Sequence, residues 1–598
     1  MAYIPNTYVP ITEGKKKRVR YTLPTGGVKL SQKNVAADVG KCAQITNMDI
    51  AFDRIMTRRL KENFDERYFV SGNLNGFCNE PFYDKLIFHV GTCIYCFNPS
   101  DDELTLISDT LPDCKSLICL FMSKVYIYCN THVYSIDSDF VFNEEQDVFA
   151  PLIYEGIVPG FAHNAKKNGT PFNLVAPRIA IEYVSSTANY YGLPHSLDTA
   201  RKVEVYKDGV LLEESKYVIS QDTIEIKDSL AYDNNRVIKI VYYLLNPSEA
   251  GFDGFIGNCN LVTAFGGNVN GGTRLFFTGN ADKKGYYYKS ELQDPLNVVE
   301  GEYEIIGDGC ENVTALKKMY GDLIVFTENS VYRMNYNFTQ DSTYFTVKEL
   351  SCEAGCDCPG SVRLIDNRVV FANSKRGIFI IDSTEETGEQ NIKPISGNIL
   401  KGKGYGLLDN PKEELLSACS ADFDRKYMLF VGGRVYVWDY DKTPFRDSGS
   451  YSAAQERLCW YIYDGIDGNF FTQIDARLIS LYEDGGVYVS VLSDDSERTE
   501  IVSAFDSGIS ECFSPLTRKH VTRMSIKLSR EENCSISLSL YGDGEKYYVA
   551  NLPQRKSEKE KLIINLPKKA LYGFGFCING KGGYEIEEIV AEYIEITE

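Results

Sequence analysis

Short apolar runs, interrupted by polar or glycine turns, recur along most of the chain. Each clear unit is an apolar strand, a turn, and a second strand that usually carries Val/Ile-Tyr or a near variant. Seven such units stand at 85–97 (KLIFHVGTCIYCF), 124–136 (KVYIYCNTHVYSI), 274–288 (RLFFTGNADKKGYYY), 323–334 (LIVFTENSVYRM), 368–381 (RVVFANSKRGIFII), 426–438 (KYMLFVGGRVYVW) and 477–489 (RLISLYEDGGVYV). Apolar runs of this length bounded by turn residues predict β-hairpins. Their starts mostly recur at roughly 40 to 60 residues, the length of a four-stranded propeller blade. One blade cannot bury both of its faces, whereas blades packed around an axis can, and the ring leaves only short edges open. The pattern predicts an all-β protein built on a β-propeller of about seven blades.

The interval from 124 to 274 breaks the period and has its own β pattern. Residues 203–206, the turn Asp208-Gly209 and residues 210–212 read as a hairpin, continued by 217–219, 223–226 and 237–244 (VIKIVYYL). Residues 161–250 are therefore expected to form a β-sandwich carried on a propeller loop, where insertions cost little. It adds nothing to the repeat, so the propeller is expected to close without it. Beyond the last hairpin, 524–528, 535–540, 562–566, 572–578 and 589–596 alternate as strands around a charged loop at 554–561 (QRKSEKEK). The expected organisation is an N-terminal arm and entry strand (1–65), a first set of blades (66–160), the inserted sandwich (161–250), the remaining blades (251–505) and a C-terminal β-sandwich or jelly-roll-like domain (506–598).

Composition supports the fold and narrows the chemistry. The 41 Tyr and 32 Phe favour a pleated, half-buried surface. A net charge of −20 argues against a surface that wraps phosphates. The basic run Lys15 to Arg20 (KKKRVR) reads first as a solvated arm, next as an arm for an acidic neighbouring subunit, and least as a nucleic-acid contact. Residues 1–20 lack an apolar signal-peptide core, and no run approaches the roughly 18 apolar residues of a membrane span. The 17 scattered cysteines read as free thiols of a protein made in a reducing cytoplasm.

Several stretches resemble the β-propeller structural proteins of tailed bacteriophages, the tail nozzle or stabilisation protein family. Asn47-Met48-Asp49 followed by Arg58-Arg59 is similar to the family's opening segment. Phe172 to Pro177 (FNLVAP) resembles the entry to its inserted sandwich, and VYKDGVLL at 205–212 with Tyr217-Val218 resembles that sandwich's hairpin. Thr278-Gly279-Asn280 with Ser290 and Asp294-Pro295 resembles a blade segment, as does 326–333 with Gly355-Cys356 and Ser361-Val362. The resemblance spans most of the chain in family order. It implies a virion subunit near the portal and tail axis, a ring of six copies contacting portal, adaptor or tail proteins, and transient passage of DNA through that ring. An acidic surface suits such a conduit, because like charge keeps the duplex off the wall. The Cys-rich segment at 352–358 and the polar insertion depart from the family pattern.

No catalytic, cofactor or metal site is assigned. The sharpest metal candidate is Cys352, Cys356 and Cys358, but structural zinc takes four ligands. A fourth would have to come from afar, and histidines number five (His89, His132, His163, His195, His520). The expected state is free thiols at a blade junction. Glycosidase propellers need paired axial carboxylates or an Arg cluster, and S-x-D-x-G-x-x-W boxes, G-x-S-x-G, H-E-x-x-H and a P-loop are all lacking. Asp422/Asp424 and Asp439/Asp441 fall at hairpin ends, where capping turns is the expected role. The rival reading is a tail module that binds a host receptor or glycan. Against it, Trp438 and Trp460 are the only tryptophans, and Tyr95, Tyr134, Tyr332, Tyr436 and Tyr488 recur at one repeat position, as core packing demands.

Overall fold

The computed structural model describes residues 15–21, 23–24, 26–30, 41–51, 53–61, 68–159, 165–184, 189–227, 236–266, 273–338, 343–351, 354–382, 392–402, 404–444, 458–494, 501–510, 516–532, 534–552 and 557–596. The chain forms two compact units, one of residues 69–356 with 483–487, the other of 1–68, 357–482 and 488–598. Both are almost wholly β, with one short α-helix (Lys412–Leu416) among the described residues. No helix among those residues is long and apolar enough to cross a membrane.

The unit built on 69–356 contains four antiparallel meanders. They are Leu74–Phe77, Leu86–Val90, Cys93–Asn98 and Glu103–Ser108; Ser116–Phe121, Lys124–Cys129, His132–Ile136 and Phe142–Glu144; Leu261–Phe265, Arg274–Thr278, Tyr286–Lys289 and Tyr303–Ile305; and Val313–Met319, Asp322–Thr327, Val331–Phe338 and Thr343–Ser351. Their first strands lie against one another in chain order. The approach is close: a Cβ on Gly76 would stand 2.6 Å from the Ser116 carbonyl oxygen, so this contact needs glycine.

The other unit holds three more meanders. Two are Cys358–Ile365, Arg368–Asn373, Gly377–Ile381 and Ile392–Pro394, then Cys419–Phe423, Lys426–Val431, Arg434–Asp439 and Trp460–Asp464. The third consists of Phe470–Ile474, Arg477–Glu483 and Val487–Asp494, extended by the N-terminal strand Leu60–Lys61. First strands again adjoin, and Arg363 ties all three by donating to the Ser420 carbonyl from Nε (2.8 Å) and to the Phe471 carbonyl from Nη2 (2.8 Å). Each of the seven repeat hairpins expected from sequence is the second and third strand of a meander, whose strands are more buried than the outermost ones. Outer strands such as Glu103–Ser108 and Phe142–Glu144 are mostly half-buried or exposed and lack a comparable apolar run.

The insertion begins earlier than expected. Leu152–Ile157 runs parallel to Arg178–Val184 in a sheet completed by Val237–Tyr243, Glu204–Lys207 and Val210–Leu211. A three-stranded sheet of Tyr190–Gly192, Thr223–Ile226 and Tyr217–Ile219 shares one core with it through Ile181, Ile240, Tyr191 and Ile224. The hairpin at 205–212 turns on Asp208 and Gly209, at φ +47° and +82°, a mirror-image turn suited to strand twist. The expectation that the insertion adds nothing to the meanders is overturned. Leu174, Val175, Ala176 and Tyr243 lie in one core with Leu117 and Phe121 of the second meander and Leu275 and Phe277 of the third.

In the second unit the described N-terminal residues are built into sheets. Gln44–Thr46 joins the edge strand Trp460–Asp464 to Val502–Ser510, making one nine-stranded sheet that continues through Phe574–Lys581, Ser535–Gly542 and Glu545–Leu552. A second sheet combines Met48–Ile50 and Ile55–Thr57 with Tyr584–Ile596, Arg518–Arg530 and Ser557–Asn565. Residues 557–561, expected in a charged loop, are thus part of a strand.

The basic run is corrected in part: residues 17–21 are a strand, while Lys17, Arg18 and Arg20 stay exposed as expected. Lys17–Tyr21 is an edge strand on Tyr584–Ile596, and its charges face that strand's acids: Arg18 Nε lies 2.8 Å from Glu592 and Arg20 Nε 2.9 Å from Glu588. Arg523, which also bonds Glu592, is the leading cause of that carboxyl's lowered pKa. A lowered pKa stabilises above the ordinary glutamate value of 4.5 and stops doing so as pH falls through the folded value. Hydrogen-exchange protection factors at 17–21 are therefore expected to drop on acidification below that range, ahead of those in Arg518–Arg530. Equal loss in both strands would contradict the role given to these ion pairs.

Candidate functional site

Several of the polar residues that carry the family resemblance lie in buried junctions between sheets. Asn47 sits at φ +55° between two short strands, a conformation asparagine tolerates better than most residues. Its amide donates to the Val502 carbonyl (2.8 Å), while its oxygen accepts the Asp464 N–H (2.7 Å) and Arg58 Nε–H (2.8 Å). Arg58 is buried, donates to the carbonyls of Asp464 (3.0 Å) and Leu60, and lies 5.5 Å from the Tyr463 ring centre. Asp49 accepts the Tyr463 hydroxyl and lies 3.5 Å from Lys426 Nζ. Burial first, then the Asp49 charge, pushes the Tyr463 phenol well up, so it remains a donor. Three N-terminal side chains thus join the sixth meander and the C-terminal sheets. Arg59, beside them in sequence, is exposed.

The other unit has a matching junction. Asn173 donates to the carbonyls of Phe149 (2.9 Å) and Leu296 (2.8 Å) and accepts the Val298 N–H (2.9 Å), tying the insertion's entry to the third meander. The Tyr243 ring lies between two guanidinium groups, with Arg201 3.5 Å and Arg178 5.7 Å from its centre. Its hydroxyl donates to the Gln146 carbonyl (2.8 Å), and Arg178 donates to the Val148 carbonyl (2.7 Å). Asn280 donates to the Phe255 carbonyl (3.2 Å), Ser290 bonds Leu275 and Glu291, and Asp294 caps Leu296. A Cβ on Gly355 would stand 2.4 Å from the Asn329 backbone, so that position also needs glycine. In the unit that holds the fifth meander, Ser361 accepts the Ala372 N–H (2.8 Å) and donates to the Cys358 carbonyl (2.6 Å).

The remaining candidates are scattered. Cys352 and His163 lie outside the described residues. Cys356 and Cys358 are buried, and among the described residues no group of three or more His, Cys, Asp or Glu could hold a metal ion. His89 is buried with Nδ1 3.0 Å from Ser116 Oγ, and burial lowers its pKa, leaving it neutral. His132 pairs with Glu144 (2.8 Å), His195 with the Tyr154 hydroxyl (2.8 Å), and His520 lies on Arg518–Arg530. Asp422 accepts the Tyr440 hydroxyl (2.7 Å), and burial raises its pKa. Asp424 occupies a turn at φ +48°, Asp439 binds Lys442 (2.6 Å), and Asp441 pairs with Arg425 (2.7 Å).

The five repeat-position tyrosines all stand on third strands of meanders. Tyr134 and Tyr436 are buried, and Tyr95 stacks on Phe88. Trp438 and Trp460 are buried and stacked, with ring centres 6.2 Å apart. A cleft of about 480 Å³ in the third meander was not legible in sequence. Tyr286, Tyr288 and Tyr303 line it with Asp282, Lys283 and Lys284. Only the register, which sets Tyr288 opposite Tyr303, makes it an aromatic face.

No protein-family model matches the chain, and no curated protein does. Among solved structures it is similar to the AfRom2 CNH domain at 9% identity and a TM-score of 0.33, with 72% of this chain and 99% of that one covered. It is also similar to the computationally designed Ika8 protein (10%, TM-score 0.30, 71% and 98%) and to Kluyveromyces lactis Hsv2 (8%, TM-score 0.30, 70% and 96%). Likeness at this level assigns neither fold nor function.

Proposed function

We propose that this chain is a non-catalytic structural subunit of a tailed-phage virion, a nozzle- or stabilisation-type ring component near the portal and tail axis. In this reading the seven meanders are the blades of one propeller. The adjoining first strands within each unit and the N-terminal strand Leu60–Lys61 on the last meander support that arrangement. The observation that carries the functional reading is the use made of Asn47, Asp49, Arg58, Asn173 and Asn280. These five polar residues of the resembling segments are held in or beside buried junctions, where they fix sheets to one another rather than face a substrate. Chemistry placed this way makes a rigid block, and assembly is the function such a block serves.

Gold labelling of this subunit in purified virions, followed by electron cryomicroscopy, tests the proposal. Label in the tail or at the head–tail junction, with six copies per particle, is expected; label confined to the capsid shell, or absent from particles, would overturn it. The protein is also expected to leave polysaccharides, esters and nucleotides unchanged. Polysaccharide cleavage lost on changing one carboxylate would refute that. The cleft rimmed by Tyr303, which is 43% exposed, favours the second reading, a module that binds a host receptor or glycan, since an exposed aromatic ring can stack on a sugar ring. Retained binding to host cells by a Tyr303→Ala variant would remove that support.

A further inference from the structure

The second meander holds two thiols poised for a bond. Cys129 ends the strand Lys124–Cys129, and its Cα partner across the first strand is Ser116. Cys114 lies two residues before Ser116, in the loop that leads into that strand. This places the two cysteines diagonally across the start of an antiparallel pair, and their sulfurs are 3.0 Å apart. That is about 1 Å beyond a disulfide bond length of roughly 2.05 Å. The loop is already seated on the strand, since Cys129 Sγ also lies 3.7 Å from the carbonyl oxygens of Pro112 and Cys114. Cys129 is fully enclosed, whereas Cys114 is half-buried and open to solvent on one side.

We propose that Cys114 and Cys129 form a reversible disulfide when the protein meets a disulfide oxidant such as glutathione disulfide. The Cys114 thiolate attacks one glutathione sulfur, breaking the glutathione S–S bond and releasing one glutathione thiolate. The Cys129 thiolate then attacks the Cys114 sulfur of this mixed disulfide and expels the second glutathione. Two protein thiols lose two electrons and two protons, and one glutathione disulfide becomes two glutathione molecules. The pair stays reduced in a reducing cytoplasm and closes in an oxidising medium. The bond would join the entry loop of the meander to its second strand, where hydrogen bonds already hold both, so the fold need not shift. Burial pushes the Cys129 pKa up, so its attack on the mixed disulfide quickens as pH rises.

The test is a peptide map of the native protein treated with glutathione disulfide and then alkylated. A disulfide-linked peptide pair containing Cys114 and Cys129 is expected, lost on reduction and formed faster at pH 9 than at pH 7. Exposed Cys310 serves as the internal comparison and should stop at a mixed disulfide with glutathione. In a Cys129→Ser variant, Cys114 should stop there as well. Glutathione retained on wild-type Cys114 with Cys129 still alkylatable after unfolding, or no reaction at Cys114, would overturn the proposal. Wild-type protein alone decides it.

Discussion

A chain carrying Arg58→Met should unfold with a loss of about 3 kcal/mol or more, while Arg59→Ala one residue away should change stability by less than about 0.5 kcal/mol. The adjacent positions are chemically alike in sequence and differ in what surrounds them. Arg58 is buried, and its guanidinium satisfies the Asn47 side chain and the carbonyls of Leu60 and Asp464. Methionine fills much of the same space but donates nothing, so three buried acceptors lose a partner, at roughly 1–3 kcal/mol each where water cannot replace it. Urea unfolding of the two variants against wild type makes the measurement. Asn47→Ala combined with Arg58→Met should cost clearly less than the sum of the single changes, because both remove one network. Additive losses, or an Arg58→Met variant within 1 kcal/mol of wild type, would mean that this junction is not what holds the N-terminal strands.

Deleting residues 165–246 and closing the gap with a short Gly/Ser linker should abolish cooperative folding of the unit built on 69–356. The repeat pattern alone leads to the opposite expectation, since loop closure costs only about 1 kcal/mol between short and long connections. The shared core decides. Leu174, Val175, Ala176 and Tyr243 are each no more than 2% exposed and pack with apolar residues of the second and third meanders. Removing large buried side chains costs about 2–5 kcal/mol apiece, and the deletion also takes away Asn173. Together these losses approach or exceed the roughly 5–15 kcal/mol that keeps a domain folded. Calorimetry of the deleted chain should show no sharp transition; a transition within a few degrees of wild type would refute the shared-core account. The hairpin tip offers the contrasting case. Val210 and Leu211 are 66% and 54% exposed, so changing both to serine should leave folding intact. If the insertion contacts a neighbouring virion protein, that change should weaken assembly instead.

The correction at the insertion and the correction at the basic run have one origin. In both, local pattern identifies a strand or a charge, and a distant segment determines what it does. Lys15 to Arg20 reads as an arm because no partner strand is visible nearby in sequence; the strand that residues 17–21 pair with, carrying Glu588 and Glu592, lies at the other end of the chain. FNLVAP at 172–177 can be seen as an entry segment, but its Leu174, Val175 and Ala176 pack with meanders that begin before it and resume after it. Cys114 and Cys129 both lie near one hairpin, yet only strand register brings their sulfurs together.

What the chain determined by itself is the set of elements enclosed on both faces. In a strand such as Lys426–Val431, whose last five residues are all buried, apolar side chains must run almost unbroken, and that run is visible without knowing the neighbours. The turns are legible for the same local reason, since Asp208-Gly209 favours the positive φ values it adopts. Tertiary structure alone decided the outer strands, the joining of Lys17–Tyr21 to the C-terminal sheet, and the polar junctions of Asn47, Arg58 and Asn173. Outer strands are half-covered and carry mixed residues, so their pattern matches that of a loop. A buried arginine or asparagine looks like a surface residue until its acceptors, hundreds of residues away in the case of Val502 and Asp464, are folded around it.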